Sequence, residues 1–309
     1  MALVAVFGAS GRQGMAQVRQ LLAAGHEVRA ISRRADPFLG AGYEARVVPA
    51  DIYDEASLVA AMEGVDGAFY TQPLRARGNR VDDIARLGRA AKAAGVKRFV
   101  WNTSSWIPDK AGDPFSYAGN TRGINALWRS GVPATVFGSV LFMDNLLTNW
   151  AFPFIVGEGR YVYPHRADLE ANWISLDDVA KFMIAALDRP DLEGAWLNIG
   201  GAERLKPPEV ASILSKVVGR EVRYDPCTPA EFGKLLTGAF GNEMDAAERA
   251  AVESFMEAFY TFNNTSPLHP FEVDMAPVLA RIPIELETME TWAARQDWRP
   301  TNTARPPAG

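Results

Sequence analysis

The segment Leu3-Val4-Ala5-Val6-Phe7-Gly8-Ala9-Ser10-Gly11-Arg12-Gln13-Gly14 decides the fold. Leu3 to Phe7 is an unbroken apolar run, which suits a strand buried on both faces of a parallel sheet. Met15, Val18, Leu21 and Leu22 then fall on one helical face, and Gly25 ends the helix. A glycine loop between strand and helix is the setting of a dinucleotide fingerprint. Small residues let the backbone approach a pyrophosphate, and the helix N-terminus turns its N–H groups toward the anionic oxygens. Gly8, Ser10, Gly11, Arg12, Gln13 and Gly14 are therefore candidate cofactor contacts, with Gly14 letting the helix pack close to the strand. The first gap holds two residues instead of the commoner one, and the bland alternative is a structural turn.

The alternation continues outward. Glu27–Ser32, Ala45–Pro49, Asp66–Thr71, Arg98–Thr103 and Pro133–Gly138 read as strands. Helices over Glu55–Met62, Val81–Ala94 and Thr121–Ser130 separate the later ones, with Gly64 and Gly95 as stops. Short glycine-punctuated links imply right-handed βαβ units, so the expected class is α/β, a Rossmann-type doubly wound parallel sheet. Beyond residue 140 the rhythm weakens. Segments 172–174, 177–187 and 196–199 still fit the sheet layer, whereas 207–218, 229–236 and 246–259 read as helices of a smaller C-terminal substrate lobe. The expected division is 1–150 for the cofactor domain with 170–200 returning to it, 151–298 for the lobe, and a loose tail over 299–309.

The end of the second strand chooses the cofactor. An acid there would bind the ribose 2′-hydroxyl of NAD, but the sequence has Ser32-Arg33-Arg34. Arginine pairs with a 2′-phosphate, so NADP(H) is preferred over NAD(H), with Arg12 as a helper. The alternative is that Arg33 and Arg34 are solvated surface charges. Asp51 could accept from the adenine amino group or serve as a cap or turn residue. Ile52, Thr71, Gln72 and Thr103, near the ends of successive strands, complete the candidate cofactor contacts.

With 309 residues and 48% hydrophobic content, the chain can bury a sizeable core. A net charge of -5 argues against non-specific nucleic-acid binding. The lone Cys227 cannot form an internal disulfide and sits in a polar stretch that does not suggest a nucleophile. No zinc-type spacing occurs, so no metal is expected. The N-terminus lacks the basic region of a signal peptide and no apolar run is long enough to span a membrane, so a cytoplasmic protein is expected.

Taken in order, these segments resemble the NmrA-like branch of the atypical short-chain dehydrogenases/reductases. The resemblance covers most of the chain. It rests on Gly8–Gly14, Arg33, Pro49-Ala50-Asp51, Lys97-Arg98-Phe99-Val100, Ser130-Gly131-Val132-Pro133, Phe142-Met143-Asp144-Asn145 and Trp173-Ile174-Ser175-Leu176-Asp177-Asp178-Val179-Ala180. It implies a Rossmann domain with a small C-terminal domain and a substrate cleft between them. It also implies either an NADPH-dependent reductase of aromatic and quinone-type substrates or a non-catalytic redox sensor.

Reductases of this superfamily usually carry a Tyr-x-x-x-Lys pair. The matching segment here is Tyr117-Ala118-Gly119-Asn120-Thr121, with Thr121 at the lysine position. A threonine can bond a ribose hydroxyl but cannot lower a phenol pKa by charge. Lys110 lies on the wrong side of Tyr117, and Arg122 points about 100° away on a helix. Ser104 and Ser105 fall where the family places a polar residue near the nicotinamide, or they are ordinary turn residues. His26 reads as structural. His165, in a loop that could cover the cleft, and His269 are candidate replacement proton donors or surface groups. The apolar stretch 139–157 reads as a cleft wall or as core.

Two functions follow. One is an NADP(H)-dependent oxidoreductase acting on a small apolar, aromatic carbonyl, enone or quinone. The other is a non-catalytic NADP(H) sensor that reports to a protein partner. The expected partners are a small-molecule substrate and a second copy or another protein, with no nucleic acid and no membrane.

Overall fold

A computed structural model describes residues 1–32, 45–71, 79–108, 117–240 and 244–300. The chain opens with β1 (Leu3–Phe7), α1 (Arg12–Ala23), β2 (Glu27–Ile31), β3 (Arg46–Val48), α2 (Glu55–Met62) and β4 (Gly67–Thr71). It continues with α3 (Arg80–Ala93), β5 (Arg98–Asn102), α4 (Ala118–Ser130), β6 (Ala134–Ser139) and β7 (Leu141–Phe142). Next come β8 (Arg160–Tyr163), β9 (Ala171–Ile174), α5 (Leu176–Ala185), β10 (Trp196–Ile199), β11 (Arg204–Leu205), α6 (Pro207–Val218) and β12 (Arg223–Pro226). The helices α7 (Pro229–Ala239), α8 (Ala246–Thr265), α9 (Met275–Arg281) and α10 (Met289–Ala294) close the described fold.

Among the described residues, seven strands form one sheet in the order β10-β6-β5-β4-β1-β2-β3, and every pairing in it is parallel. This is the α/β Rossmann arrangement that the alternating apolar runs predict. β5 and β6 are buried along their whole length, as strands covered on both faces must be. Leu58, Ile84, Leu87, Ile124 and Leu127 from α2, α3 and α4 cover one face of the sheet. Val18 and Leu21 of α1 and Val179 and Phe182 of α5 cover the other, and that core runs on into the C-terminal region through Trp173, Phe232, Tyr260 and Trp292.

Segment 139–157 settles into this second core. Leu146, Leu147, Trp150, Phe152, Ile155 and Val156 are all buried, so the stretch is mainly core and not a cleft wall. Two small sheets, β11-β9-β7 and β12-β8, extend from the same region. Ion pairs fasten the C-terminal end to the sheet layer: Asp177 at the start of α5 pairs with Arg19 of α1 and, at 2.9 Å, with Arg295.

The turn from β10 toward β11 is held by backbone proximity. A Cβ on Gly201 would lie 1.7 Å from the Trp173 carbonyl oxygen. Asn172 donates to the Gly201 carbonyl at 3.3 Å and accepts from the Val273 N–H at 2.9 Å. Backbone cannot yield as a side-chain tip can. Gly201→Ala is expected to lower the unfolding free energy by at least the ~1–3 kcal/mol typical of overpacking, measured by urea denaturation; unchanged stability would contradict this packing.

Candidate functional site

The glycine loop lies at the C-terminal end of β1, between β4 and β2 in the sheet. Gly8 adopts φ +64°, which a glycine supplies without strain. Gly14 is buried, and a Cβ there would sit 2.2 Å from the Gly8 carbonyl oxygen. Helix α1 therefore starts directly on the loop. Its N-cap is Gly11, with no side-chain cap, so its first N–H groups point outward from a small-residue cradle. These features fit the pyrophosphate of a dinucleotide.

Behind the loop is a closed polar cluster. Asn102, fully buried at the end of β5, donates from Nδ2 to Gln13 Oε1 at 2.9 Å. Its Oδ1 accepts from Ser139 Oγ at 2.5 Å and from the Ser104 N–H at 3.1 Å. Gln13 Nε2 in turn donates to Ser104 Oγ at 3.0 Å. Ser104 has φ 55°, an unusual conformation for a residue other than glycine. The cluster ties the glycine loop to the ends of β5 and β6. Gln17, buried on α1, donates to Thr71 Oγ1 at 2.9 Å and links β4 to the same edge.

Tyr117 caps the start of α4 and is buried. Its ring meets Trp106 edge-on at 5.4 Å and lies 5.6 Å from Phe259 and 6.0 Å from Phe262 of α8. Its hydroxyl donates to Asn263 Oδ1 at 2.8 Å. Phe255, on the same helix, is exposed and stacks on Phe259 at 5.8 Å. An aromatic wall thus stands over a phenol, next to the strand end that carries Ser104 and Ser105.

Several expected residues take other places. Thr121 is exposed, and Asn120 is the buried polar residue of α4 that turns toward Ser105. Asn120 donates to Ser105 Oγ and to the Trp106 carbonyl, both at 2.9 Å. A helix turns 100° per residue, so a one-position difference in register decides which side chain faces the site. Arg12 donates to the Asp144 carbonyl at 2.7 Å and to Asn145 Oδ1 at 3.4 Å, bracing the 3₁₀ turn Met143–Leu147.

Asp51 is exposed and accepts from the Tyr53 N–H at 3.0 Å, the turn alternative of its sequence reading. The Ile52 carbonyl accepts from Arg86 at 3.2 Å. Thr103 is buried and donates to the Ser105 carbonyl at 2.6 Å. Ser10 and Ser32 hydroxyls lie 3.4 Å apart. Arg33, Arg34, Gln72 and Lys110 lie outside the described residues.

His165 is not a cleft-covering loop residue. It is 3% exposed and packed among Tyr163, Trp173, Tyr260 and Phe271, with Nε2 buried and unbonded. Loss of water pushes its pKa down to about 3, so it carries no ring proton to give as an imidazolium at neutral pH. The Pro164 context looks loop-like, but long-range aromatic packing decides the burial. His26 Nδ1 accepts from the Ala2 N–H at 3.2 Å, a structural role. His269 is exposed beside Glu272 at 2.8 Å. Burial raises the Cys227 thiol to about 11, which leaves it unreactive. Among the described residues, no group of His, Cys, Asp or Glu is placed to hold a metal, and no helix is long and apolar enough to cross a membrane.

The sheet order and the loop define a Rossmann fold of the dinucleotide-binding class. The NmrA-like family matches residues 1–293, and the chain belongs to it. An NAD(P)H azoreductase of Xenophilus azovorans is 30% identical over 240 residues, covering 76% of this chain and 81% of that protein. The fold superposes on an NADPH-dependent quinone oxidoreductase of Escherichia coli in complex with NADPH, with a TM-score of 0.71 at 21% identity over 94% of this chain and 98% of that one. It also matches NmrA, a negative transcriptional regulator, in complex with NADP, with a TM-score of 0.72 at 19% identity over 95% and 94% of the two chains.

The burial of His165 has a measurable consequence. Between its ordinary pKa of 6.5 and about 3, the unfolded chain binds a proton that the folded chain refuses. Stability from this group is complete above pH 6.5 and is lost as pH falls through that window. His165→Phe is expected to flatten the decline of Tm between pH 6.5 and 4 relative to the parent; parallel Tm curves would show that His165 titrates normally in the fold.

Proposed function

We propose that the protein is an NADP(H)-dependent oxidoreductase of small, largely apolar aromatic carbonyls, enones or quinones. The observation that carries this reading is the Tyr117 phenol, its ring set among Trp106, Phe259 and Phe262 and its helix tied to the strand end through the Asn120–Ser105 bond. We assign residues 1–150, with 170–200, to the cofactor-binding part and 151–298 to the substrate lobe. The preference for the 2′-phosphate rests on Ser32-Arg33-Arg34, with no acid in that triplet, and on Arg12 within the loop.

Bound NADPH supplies the hydride. The chain's own groups supply placement and a proton. The backbone of Gly8–Gly14 receives the pyrophosphate, and the Gln13 link to Ser104 fixes the loop relative to the strand end. The rings of Trp106, Phe259 and Phe262 offer flat apolar surfaces to a planar acceptor and exclude water from it. Tyr117 turns its O–H from Asn263 to the substrate oxygen and gives up the proton there.

The helix α4 contains no lysine, and its inward-facing residue is the neutral Asn120. Within α4, Tyr117 therefore has no ammonium at the usual lysine position to lower its pKa. This suits acceptors that take a hydride readily and leave a weakly basic anion, as quinones and enones do. It suits simple ketones poorly. His165 takes no part in the proton transfer.

The second reading is a non-catalytic NADP(H) sensor, favoured by that same missing lysine and by the Arg12 link. Arg12 sits in the cofactor loop and braces the turn at 143–147. A phosphate that drew the guanidinium away would loosen that turn and present a changed surface to a protein partner.

The decisive assay is fluorescence titration with NADPH and NADH, followed by NADPH-oxidation assays with quinones, enones, azo compounds and aromatic aldehydes. NADPH is expected to bind tighter than NADH, with turnover of a quinone or enone. Tyr117→Phe is expected to lower kcat by about 10²–10⁴, the usual contribution of a positioned acid, while NADPH affinity persists. Tight binding with no turnover of any acceptor would favour the sensor, and failure to bind either cofactor would contradict both readings.

A further inference from the structure

We propose that Arg80 recognises an acidic substituent on the substrate, so that the preferred acceptor is an aromatic or conjugated carbonyl bearing a sulfonate or carboxylate. This rests on the reading of the Tyr117 cleft as the substrate site. Arg80 is the first residue of α3, partly buried where that helix starts beside α4; a Cβ on Gly119 would lie 3.9 Å from its Cδ.

Its bonding differs from that of the other arginines around it. Arg86 pairs with Asp83 at 3.1 Å and Arg89 pairs with Glu55 at 2.7 Å. Arg80 instead donates to a neutral acceptor, Asn120 Oδ1, and among the described residues it has no carboxylate within ion-pair distance. Loss of water pulls its pKa below the usual guanidinium value. The neighbour that acts on it electrostatically is the buried Tyr70 hydroxyl. A partly buried cation with no carboxylate partner among the described residues is costly, and it is tolerated where a ligand completes it.

The amide of Asn120 fixes the direction of that cation. Both of its N–H donors are used, on Ser105 Oγ and the Trp106 carbonyl, so its oxygen faces Arg80. An amide with both donors engaged cannot flip without losing two bonds. The guanidinium has five donors, and one of them answers Asn120. The rest form a fork suited to a planar or tetrahedral oxyanion. Through Asn120 this charge stands one residue removed from Ser105 and the Trp106 backbone, the segment whose indole meets Tyr117. A substrate ring against Trp106 and Phe259 can therefore reach it with a ring substituent while its carbonyl faces Tyr117.

The test is direct binding to the NADP⁺ complex, which requires no turnover. Naphthoquinone sulfonate and unsubstituted naphthoquinone are titrated by calorimetry, and NADP⁺ affinity is measured in parallel. The parent protein is expected to prefer the sulfonate by about ten- to a hundred-fold, the usual worth of a hydrogen bond to a charged group. Arg80→Gln and Asn120→Asp, the latter giving Arg80 an internal counter-charge, are expected to bring the ratio near one. Arg80→Lys is expected to retain part of it, and it stands with Asn120→Asp if Arg80→Gln does not fold. No preference in the parent, a ratio that Arg80→Gln leaves unmoved, or a loss confined to NADP⁺ affinity would each overturn the proposal. A preserved sulfonate preference without NADPH oxidation by either probe would overturn the oxidoreductase reading and leave the anion site standing.

Discussion

The contact between Gly14 and the Gly8 carbonyl is the constraint on which the molecule's functional edge depends. Only a residue without a Cβ lets α1 begin so close to the end of β1. That proximity leaves the first N–H groups of α1 uncapped and outward-facing, and it brings Gln13 and Gln17 down onto the ends of β4 and β5. A helix displaced by the width of a methyl group would lose the Asn102–Gln13–Ser104 cluster and strand the buried Asn102 amide, whose desolvation alone costs about 1–3 kcal/mol. Fold and candidate site are held by the same few atoms.

From that edge the site divides into two kinds of environment. On one side lies a hydrogen-bonded polar network whose members satisfy one another, which suits fixed placement of a cofactor. On the other lies an aromatic wall from Trp106 and α8, with a phenol and a buried amide at its base. Hydride transfer depends mainly on placement, which the first environment provides. In the proposed reaction the second receives a flat acceptor and holds the proton donor, Tyr117. The chemistry proposed is what suits a helix α4 that carries no lysine.

The sheet was legible because parallel strands buried on both faces read as apolar runs, and glycines mark where helices stop. The glycine loop was legible for the same reason: its pattern follows from the need for close approach. The site's polar residues were harder to see. Asn102 ends an apolar strand, Arg80 opens a helix with its own acidic first turn, and Asn263 sits on a long, largely solvated helix. None forms a motif, because each matters only through a partner distant in sequence. A polar side chain closing an apolar run, as Asn102 closes Phe99–Trp101, is the one signal that points to such a residue. The register of α4 turned on one position, Asn120 against Thr121, within the error of any boundary drawn from sequence. His165 was misread because a Pro-flanked polar stretch looks exposed until the rings of β8, β9 and α8 close around it.

The most direct measurement of the central claim is a crystal structure of the NADP⁺ complex. The account predicts the pyrophosphate on the backbone N–H groups of Arg12 and Gln13, the nicotinamide beside Ser104, and the Tyr117 hydroxyl facing the cleft next to it. A cofactor bound elsewhere, or a nicotinamide separated from Tyr117 by an intact Phe259–Phe262 wall, would contradict it.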